Sequence, residues 1–266
     1  MRQADWEKIA RRYDVWLPHF KAVTQSMQAV LHIEPGMQCL DVASGTGEPA
    51  LSFASEHPEA DFLLTDQAEQ MLEFCQFRAQ QMSLNNIRCQ VLSALELDQL
   101  ASTFDVISCR FGLMLMTDQV AVLDIVHKLS KPGTQWCFTV WSDEANALPS
   151  MEWVWEACLD MIPASELPPL ALARSLGNEA IIRDVFGSVA YNNLSVDSKS
   201  FNLKLASFED YWQLLCQSGV MDVQLAQLNS AQKEKLYERL KQRAESCLVS
   251  GTLILPHRYW QIHVVI

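Results

Sequence analysis

LDVASGTGEPA, residues 40–50, is the stretch that decides the fold of this 266-residue chain. An apolar run at 38–43 (QCLDVA) meets a turn of small residues, Ser44-Gly45-Thr46-Gly47, which reads as a buried strand ending at a tight bend. A helix is expected from about Glu48, with Pro49 tolerated in its first turn, ending before Pro58. Outward from there the same unit repeats. DFLLT at 61–65 predicts a second strand, and Ala68, Met71, Leu72, Cys75, Ala79 and Met82 mark one apolar face of a helix. Residues 87–92 and 104–109 predict the third and fourth strands. Val122, Ile125, Val126 and Leu129 form another helical stripe, closed by Pro132-Gly133, and 134–141 (TQWCFTVW) is a fifth strand. Strands alternating with helices of this length imply a doubly wound α/β fold, a mostly parallel sheet covered on both faces with right-handed crossovers.

The later residues change character. A helix is expected over 151–162, then a Pro-rich bend (Pro163, Pro168, Pro169), a helix over 178–186, a strand over 194–203 and two or three helices within 206–247. RYWQIHVVI, 258–266, closes the chain as an alternating strand. These elements predict one domain over 1–266, with an N-terminal cap at 1–32 and helical insertions at about 144–175 and 206–247.

In an open α/β sheet the ligand site lies at the carboxyl ends of the strands, where the winding reverses. Small residues after the first strand let the backbone approach a ligand closely, and a helix start offers free N–H groups. Asp66 ends the second strand, where a carboxylate can accept both hydroxyls of a ribose. The turn alone leaves the chemistry open: Gly45-Thr46-Gly47-Glu48-Pro49-Ala50 also fits the dinucleotide pattern of nicotinamide-dependent oxidoreductases, and a purely structural turn is a third reading.

The surroundings separate these. LDVASGTGEPA, TDQAEQML (65–72), SALEL (93–97), FDVISCRFGLMLMTD (104–118), LSKPGTQWCFTVW (129–141) and IARRYDVW (9–16) together resemble the class I S-adenosylmethionine-dependent methyltransferases. The likeness is strongest to the branch that includes ubiquinone- and menaquinone-biosynthesis enzymes. It is specific from about residue 6 to 142 and weaker beyond, at SLGNEAIIRDVF and SFEDYW. The resemblance implies a seven-stranded Rossmann-like sheet in the order 3-2-1-4-5-7-6 with the last strand antiparallel, and S-adenosylmethionine as cofactor. It implies that Asp41, Ala43, Ser44, Gly45 and Gly47 form the cofactor turn, with Asp66 on the ribose and Gln67 and Met71 beside the adenosine. Ser93, Ala94 and Leu95 would flank the adenine, Arg110 and Met114 would lie near the cofactor, and Tyr13 would close over its methionine end. Three departures stand out. Ala43 replaces the usual Gly, Ser93 replaces the usual Asp, and the longer N-terminal signature of the quinone enzymes is missing after Tyr13.

Bulk properties narrow the partners. A formal net charge of −12 repels phosphate backbones. The strand-four residues Arg110-Phe111-Gly112 are not the polar-Pro-Pro-aromatic motif of many amino-group methyltransferases, and there is no Pro-Cys nucleophile for a cytosine-C5 enzyme. Nucleic acid is therefore not the expected substrate. The eight cysteines show no C-x-x-C spacing, so neither a metal site nor a disulfide framework is expected. No apolar stretch is long enough to span a membrane, and the N-terminus lacks a signal-peptide core, which makes a cytoplasmic location the expectation.

Methyl transfer needs an acceptor held in line with the departing group and, for a hydroxyl or carbon acid, removal of a proton. His19 is the candidate base and Tyr13 a polar orienter. Trp141, Trp153 and Trp155, with Met161, Leu170 and Leu172, predict an apolar pocket for a small acceptor such as a quinone, phenol or polyketide-like molecule. Two rivals remain open: a protein of the same fold that binds the cofactor without transferring methyl, and an NAD(P)-dependent oxidoreductase.

Overall fold

The computed structural model describes residues 5–163, 170–219 and 221–266, without the side chains of 222–224. Pro168 and Pro169 lie outside the described residues. Helices α1 (Trp6–Tyr13) and α2 (Lys21–Gln28), joined by a 3₁₀ turn at Asp14–Phe20, precede the sheet. The chain then winds through β1 (Gln38–Val42), α3 (Ala50–Glu56), β2 (Asp61–Asp66), α4 (Glu69–Gln81), β3 (Ile87–Val91), β4 (Phe104–Arg110), α5 (Gln119–Lys128) and β5 (Ser130–Trp141). After this come α6 (Pro149–Cys158), α7 (Leu170–Ala173), α8 (Glu179–Phe186), β6 (Asn193–Leu205), α9 (Phe208–Gln217), α10 (Asp222–Gln227), α11 (Ser230–Ala244), β7 (Leu248–Val249) and β8 (Thr252–Val265).

The strand order is β3-β2-β1-β4-β5-β8-β6, and the two-residue β7 pairs with β8. Strands β1–β5 pair in parallel, while β8 runs antiparallel to both β5 and β6. The expected order holds, with the short β7 adding an eighth strand, so the antiparallel strand is eighth in the chain. Parallel strands covered on both faces must bury nearly every side chain, and in β1 Cys39, Leu40, Asp41 and Val42 are all buried.

Several boundaries differ from expectation. Pro49 is the residue before α3, not part of its first turn. Strand β5 starts at Ser130: Ser130 pairs with Phe104, and the register shifts before Gln135 pairs with Val106, so Pro132-Gly133 sits in a bulge rather than ending the element. Strand β8 starts six residues before Arg258. Its first part continues the pairing with β6 beyond the end of β5, Phe201 opposite His257 and Leu205 opposite Leu253. This overhang builds a wall above the carboxyl ends of β4 and β5. No described helix is long and apolar enough to cross a membrane.

Candidate functional site

The winding reverses between β2 and β4 on either side of β1, so the crevice opens where β1 runs into the turn. Three residues there adopt left-handed backbone: Ala43 (φ 53°), Gly45 (φ 53°) and Gly47 (φ 108°). At Gly47 an added Cβ would come within 2.6 Å of the Leu51 side chain and 2.8 Å of Cys75 Sγ, so only glycine fits under the turn. At Gly45 an added Cβ would have Met71 Sδ, at 4.0 Å, as its only neighbour, which leaves that side of the turn open. Ala43 takes a conformation that favours glycine, and its methyl group points at Gly112, where a Cβ would lie 2.9 Å away.

Asp66 ties the second strand to this turn. One carboxylate oxygen accepts from Gly45 N at 2.8 Å and the other from Ala68 N at 2.9 Å. A carboxylate has about four lone-pair positions, so the two backbone N–H groups leave room for a ligand's hydroxyls. Burial pushes its pKa up, against the pull of the backbone N–H groups. Arg78, from α4, clamps the turn from outside, donating to Thr46 O at 2.7 Å and pairing with Glu48 at 3.0 Å. Ser44 N and Oγ both donate to Thr65 O.

Below the turn, Asp41 is 1 % exposed. Its Oδ1 accepts from Ser108 Oγ at 2.5 Å, whereas Oδ2 has no partner among the described residues. Burial pushes its pKa up to about 7, although Ser108 and the nearby Arg110 act in the opposite direction. Thr46 Oγ1 and Asp14 Oδ1 are likewise buried without a partner. Buried polar atoms cost free energy unless satisfied, so a cluster of unsatisfied ones at the strand ends is what a polar ligand would repair.

The N-terminal cap lies over the same place. Glu7 accepts from Glu69 N at 2.8 Å and Gln70 N at 2.9 Å, capping α4 beside Asp66. Ala10 packs with Ala68 and Met71, flanked by Trp6, Tyr13 and Phe74. Tyr13 meets Trp6 edge-on at 6.0 Å. Burial raises its pKa, with Arg110, Asp14 and Asp66 as its charged neighbours.

The remaining expected residues fall into two groups. Gln67 is exposed and Ser93, Ala94 and Leu95 lie at the end of β3. Ser93 forms a capping box with Glu96, its Oγ accepting from Leu95 N at 3.4 Å, so this hydroxyl replaces the expected carboxylate with a helix cap. Arg110 donates to Thr24 Oγ1 at 2.8 Å and stands over the Phe20 ring at 5.6 Å. Met114 is turned toward β5: its sulfur accepts from Trp141 N at 3.4 Å, and its carbonyl accepts from Ser175 Oγ at 2.7 Å.

At the ends of β4 and β5 an aromatic box forms that sequence periodicity did not reveal. Phe111 and Trp141 stack 3.8 Å apart at 10°, and Phe20 sits against both, at 5.6 and 6.0 Å, and against Phe201 at 5.9 Å. Phe111 holds a left-handed backbone (φ 58°), with its N–H on Thr139. His257 stacks on Phe201 at 5.1 Å. These rings come from five separate parts of the chain, so no local pattern announces them.

The expected Trp cluster is corrected. Trp141 belongs to the box, but Trp153 lies against Tyr211 at 6.3 Å with the Arg243 guanidinium 5.3 Å above it. It borders a separate cavity of about 370 Å³ with Glu156, Asp160 and Arg239. The buried face of α6 turns Trp153 toward α9 and α11, away from the strand ends. Trp155, two residues on, is half-buried elsewhere on the helix. His19 is half-buried, and burial lowers its pKa. No group of metal-binding side chains occurs among the described residues.

Residues 33–162 match the family model described as a methyltransferase domain. The demethylmenaquinone methyltransferase of Bacillus cereus (strain B4264) is 28 % identical over 134 residues, covering 48 % of this chain and 56 % of the relative. That of Geobacillus kaustophilus (strain HTA426) is also 28 % identical, over 135 residues. The chain thus spans about half the length of the curated relatives it matches. Among solved structures, the YcgJ protein of Bacillus subtilis superposes with a TM-score of 0.57 at 15 % identity, covering 94 % of this chain and 98 % of that one. A Haemonchus contortus phosphoethanolamine N-methyltransferase, solved with phosphomonomethylethanolamine and S-adenosylhomocysteine, gives 0.59 at 13 % identity, covering 96 % and 57 %. The fold is that of the class I methyltransferases.

Proposed function

With a methyltransferase domain on this fold as the premise, we propose that the chain is an S-adenosylmethionine-dependent methyltransferase acting on a small aromatic acceptor. The observation that carries the reading is the cradle at β1 and β2: an open Gly45, Asp66 tied to it, and the unpaired Asp41 Oδ2 and Thr46 Oγ1 beneath. These residues fit the cofactor. Asp66 would take its ribose hydroxyls and Asp41 its ammonium group, with Met71 and Tyr13 covering it. When bound, it supplies an electrophilic methyl group on a positively charged sulfur.

The aromatic box supports the acceptor class. Phe20 fills a slot between Phe111, Trp141 and Phe201 with a flat ring. A planar acceptor would take the place of that ring while the cap shifts, and the faces of Phe111 and Trp141 would orient it and keep water out. A quinone or phenol meets these demands, and the demethylmenaquinone enzymes among the relatives favour the same class. Calorimetric titration of S-adenosylmethionine, S-adenosylhomocysteine and NADH tests the reading. Both adenosyl ligands should bind and NADH should not. Asp66→Ala should weaken the adenosyl ligands by about 1.5–3 kcal/mol, the size of lost hydrogen bonds to a charged group. Unchanged affinity in a folded Asp66→Ala protein would overturn it.

A further inference from the structure

Beside Phe201 and Trp141 of the aromatic box lies a buried polar pair. Ser150 Oγ and His257 Nε2 are 2.7 Å apart, and His257 Nδ1 lies 2.9 Å from Leu255 O. They are 107 residues apart in sequence, and both are buried, at 2 % and 1 % exposure. A carbonyl can only accept, so Nδ1 carries the proton and Nε2 is the lone-pair nitrogen. Ser150 must therefore donate to Nε2. Its oxygen keeps room to accept from one more donor, and none is present among the described residues. Tyr211 fixes the backbone at this point, donating from its hydroxyl to Ser150 O at 2.8 Å.

We infer that Ser150 and His257 form a proton relay for the acceptor's hydroxyl: Ser150 receives that proton and passes its own to His257 Nε2. The inference rests on the reading that the box takes a methyl acceptor, and it assigns that acceptor an aromatic hydroxyl. Bonds balance as follows. The acceptor oxygen gains the methyl carbon and loses its proton, the carbon–sulfur bond breaks with its electron pair on sulfur, and the proton ends on the imidazole before leaving to solvent.

The surroundings suit this transfer. Burial lowers the His257 pKa to about 4, so at physiological pH the ring is neutral and its Nε2 lone pair accepts from Ser150. A buried imidazolium would ordinarily be opposed, but here the positive charge on sulfur vanishes as the one on the ring appears, leaving the total unchanged. The face of Phe201, stacked at 5.1 Å, favours a cation beside it, and Trp141 lies tilted at 6.0 Å. The charged neighbour is His19, whose positive charge would oppose the proton and whose pKa burial lowers; the Tyr211 hydroxyl sits on the Ser150 carbonyl.

The test compares 1-naphthol with naphthalene as probes, by calorimetry and by ¹⁵N resonances of the His257 ring, in wild type, Ser150→Ala and Ser150→Thr. Phe20→Ala serves as a second background in which the slot is open. Wild type should prefer the naphthol about tenfold, with a shift at Nε2 on binding. Ser150→Ala should lose both the preference and the shift, and Ser150→Thr should restore them. A preference that survives in Ser150→Ala overturns the relay, as does failure of both probes to bind in either background. A wild type that fails to bind S-adenosylmethionine but keeps the naphthol preference would instead sink the methyltransferase reading and leave Ser150 and His257 as a site for an aromatic hydroxyl.

Discussion

Asp41 offers the sharpest check on the electrostatics of the cradle. Its carboxyl is pushed from an ordinary value up to about 7 by burial, with Oδ2 unpartnered. Below about pH 4 the folded and unfolded chains both hold the proton, and the group costs nothing. Between there and pH 7 the unfolded chain has released a proton that the folded chain retains, so stability falls as pH rises; above 7 the loss is constant. At about 1.4 kcal/mol per pH unit, the folded protein should lose about 3 kcal/mol from this one group between pH 5 and pH 8. Asp41→Asn keeps an acceptor for Ser108 and cannot ionise. Urea unfolding of both proteins across this range, at fixed ionic strength, isolates the effect in the difference between the two curves. The variant should gain about 3 kcal/mol on wild type from pH 5 to pH 8, apart from any constant offset. Parallel curves would show that the buried carboxylate is stabilised by something the structure lacks, and the case for an unmet charge at this spot would fall.

Two other perturbations separate the cradle from the surrounding helices. Gly45→Val should abolish S-adenosylmethionine binding in calorimetry while far-UV circular dichroism stays native, because the open side of the turn becomes filled; normal affinity would mean the turn holds no ligand. Trp153→Ala should lower unfolding stability by about 3–5 kcal/mol, the range for emptying a buried aromatic site, and leave cofactor affinity unchanged, whereas a selective loss of ligand binding would return Trp153 to the pocket.

The parallel core was readable because β1, β2 and β4 are short apolar runs, β3 (IRCQV) alternates apolar and polar residues, and the helical stripes between them keep a 3.6-residue period. The reading failed where a breaker did something else. Pro132-Gly133 sits in a bulge inside β5, and Pro256 lies within β8, paired opposite Asn202. Asp41, Gly45 and Asp66 were legible because the turn and the strand end are local. Glu7, Phe20, Phe201, Ser150 and His257 were not, since their partners lie far away in the chain, Glu7 from Glu69 by 62 residues and Ser150 from His257 by 107. Trp153 was misplaced for the same reason: composition showed an aromatic-rich segment, but only the packing of α6 on α9 and α11 says which way each ring faces.

The left-handed Ala43 and the glycine it confronts set an order on how this site can change over generations. A side chain at 112 would strike the methyl group of Ala43 at 2.9 Å and Cys109 Sγ at 2.8 Å. Glycine at 43 removes the first obstacle and relieves an unfavourable backbone at the same time, so that step is open from the present sequence. The reverse path is closed. Position 112 stays locked as glycine until 43 has shed its methyl group and 109 has yielded, which makes the two turns, 69 residues apart in the chain, a single unit of mutational history.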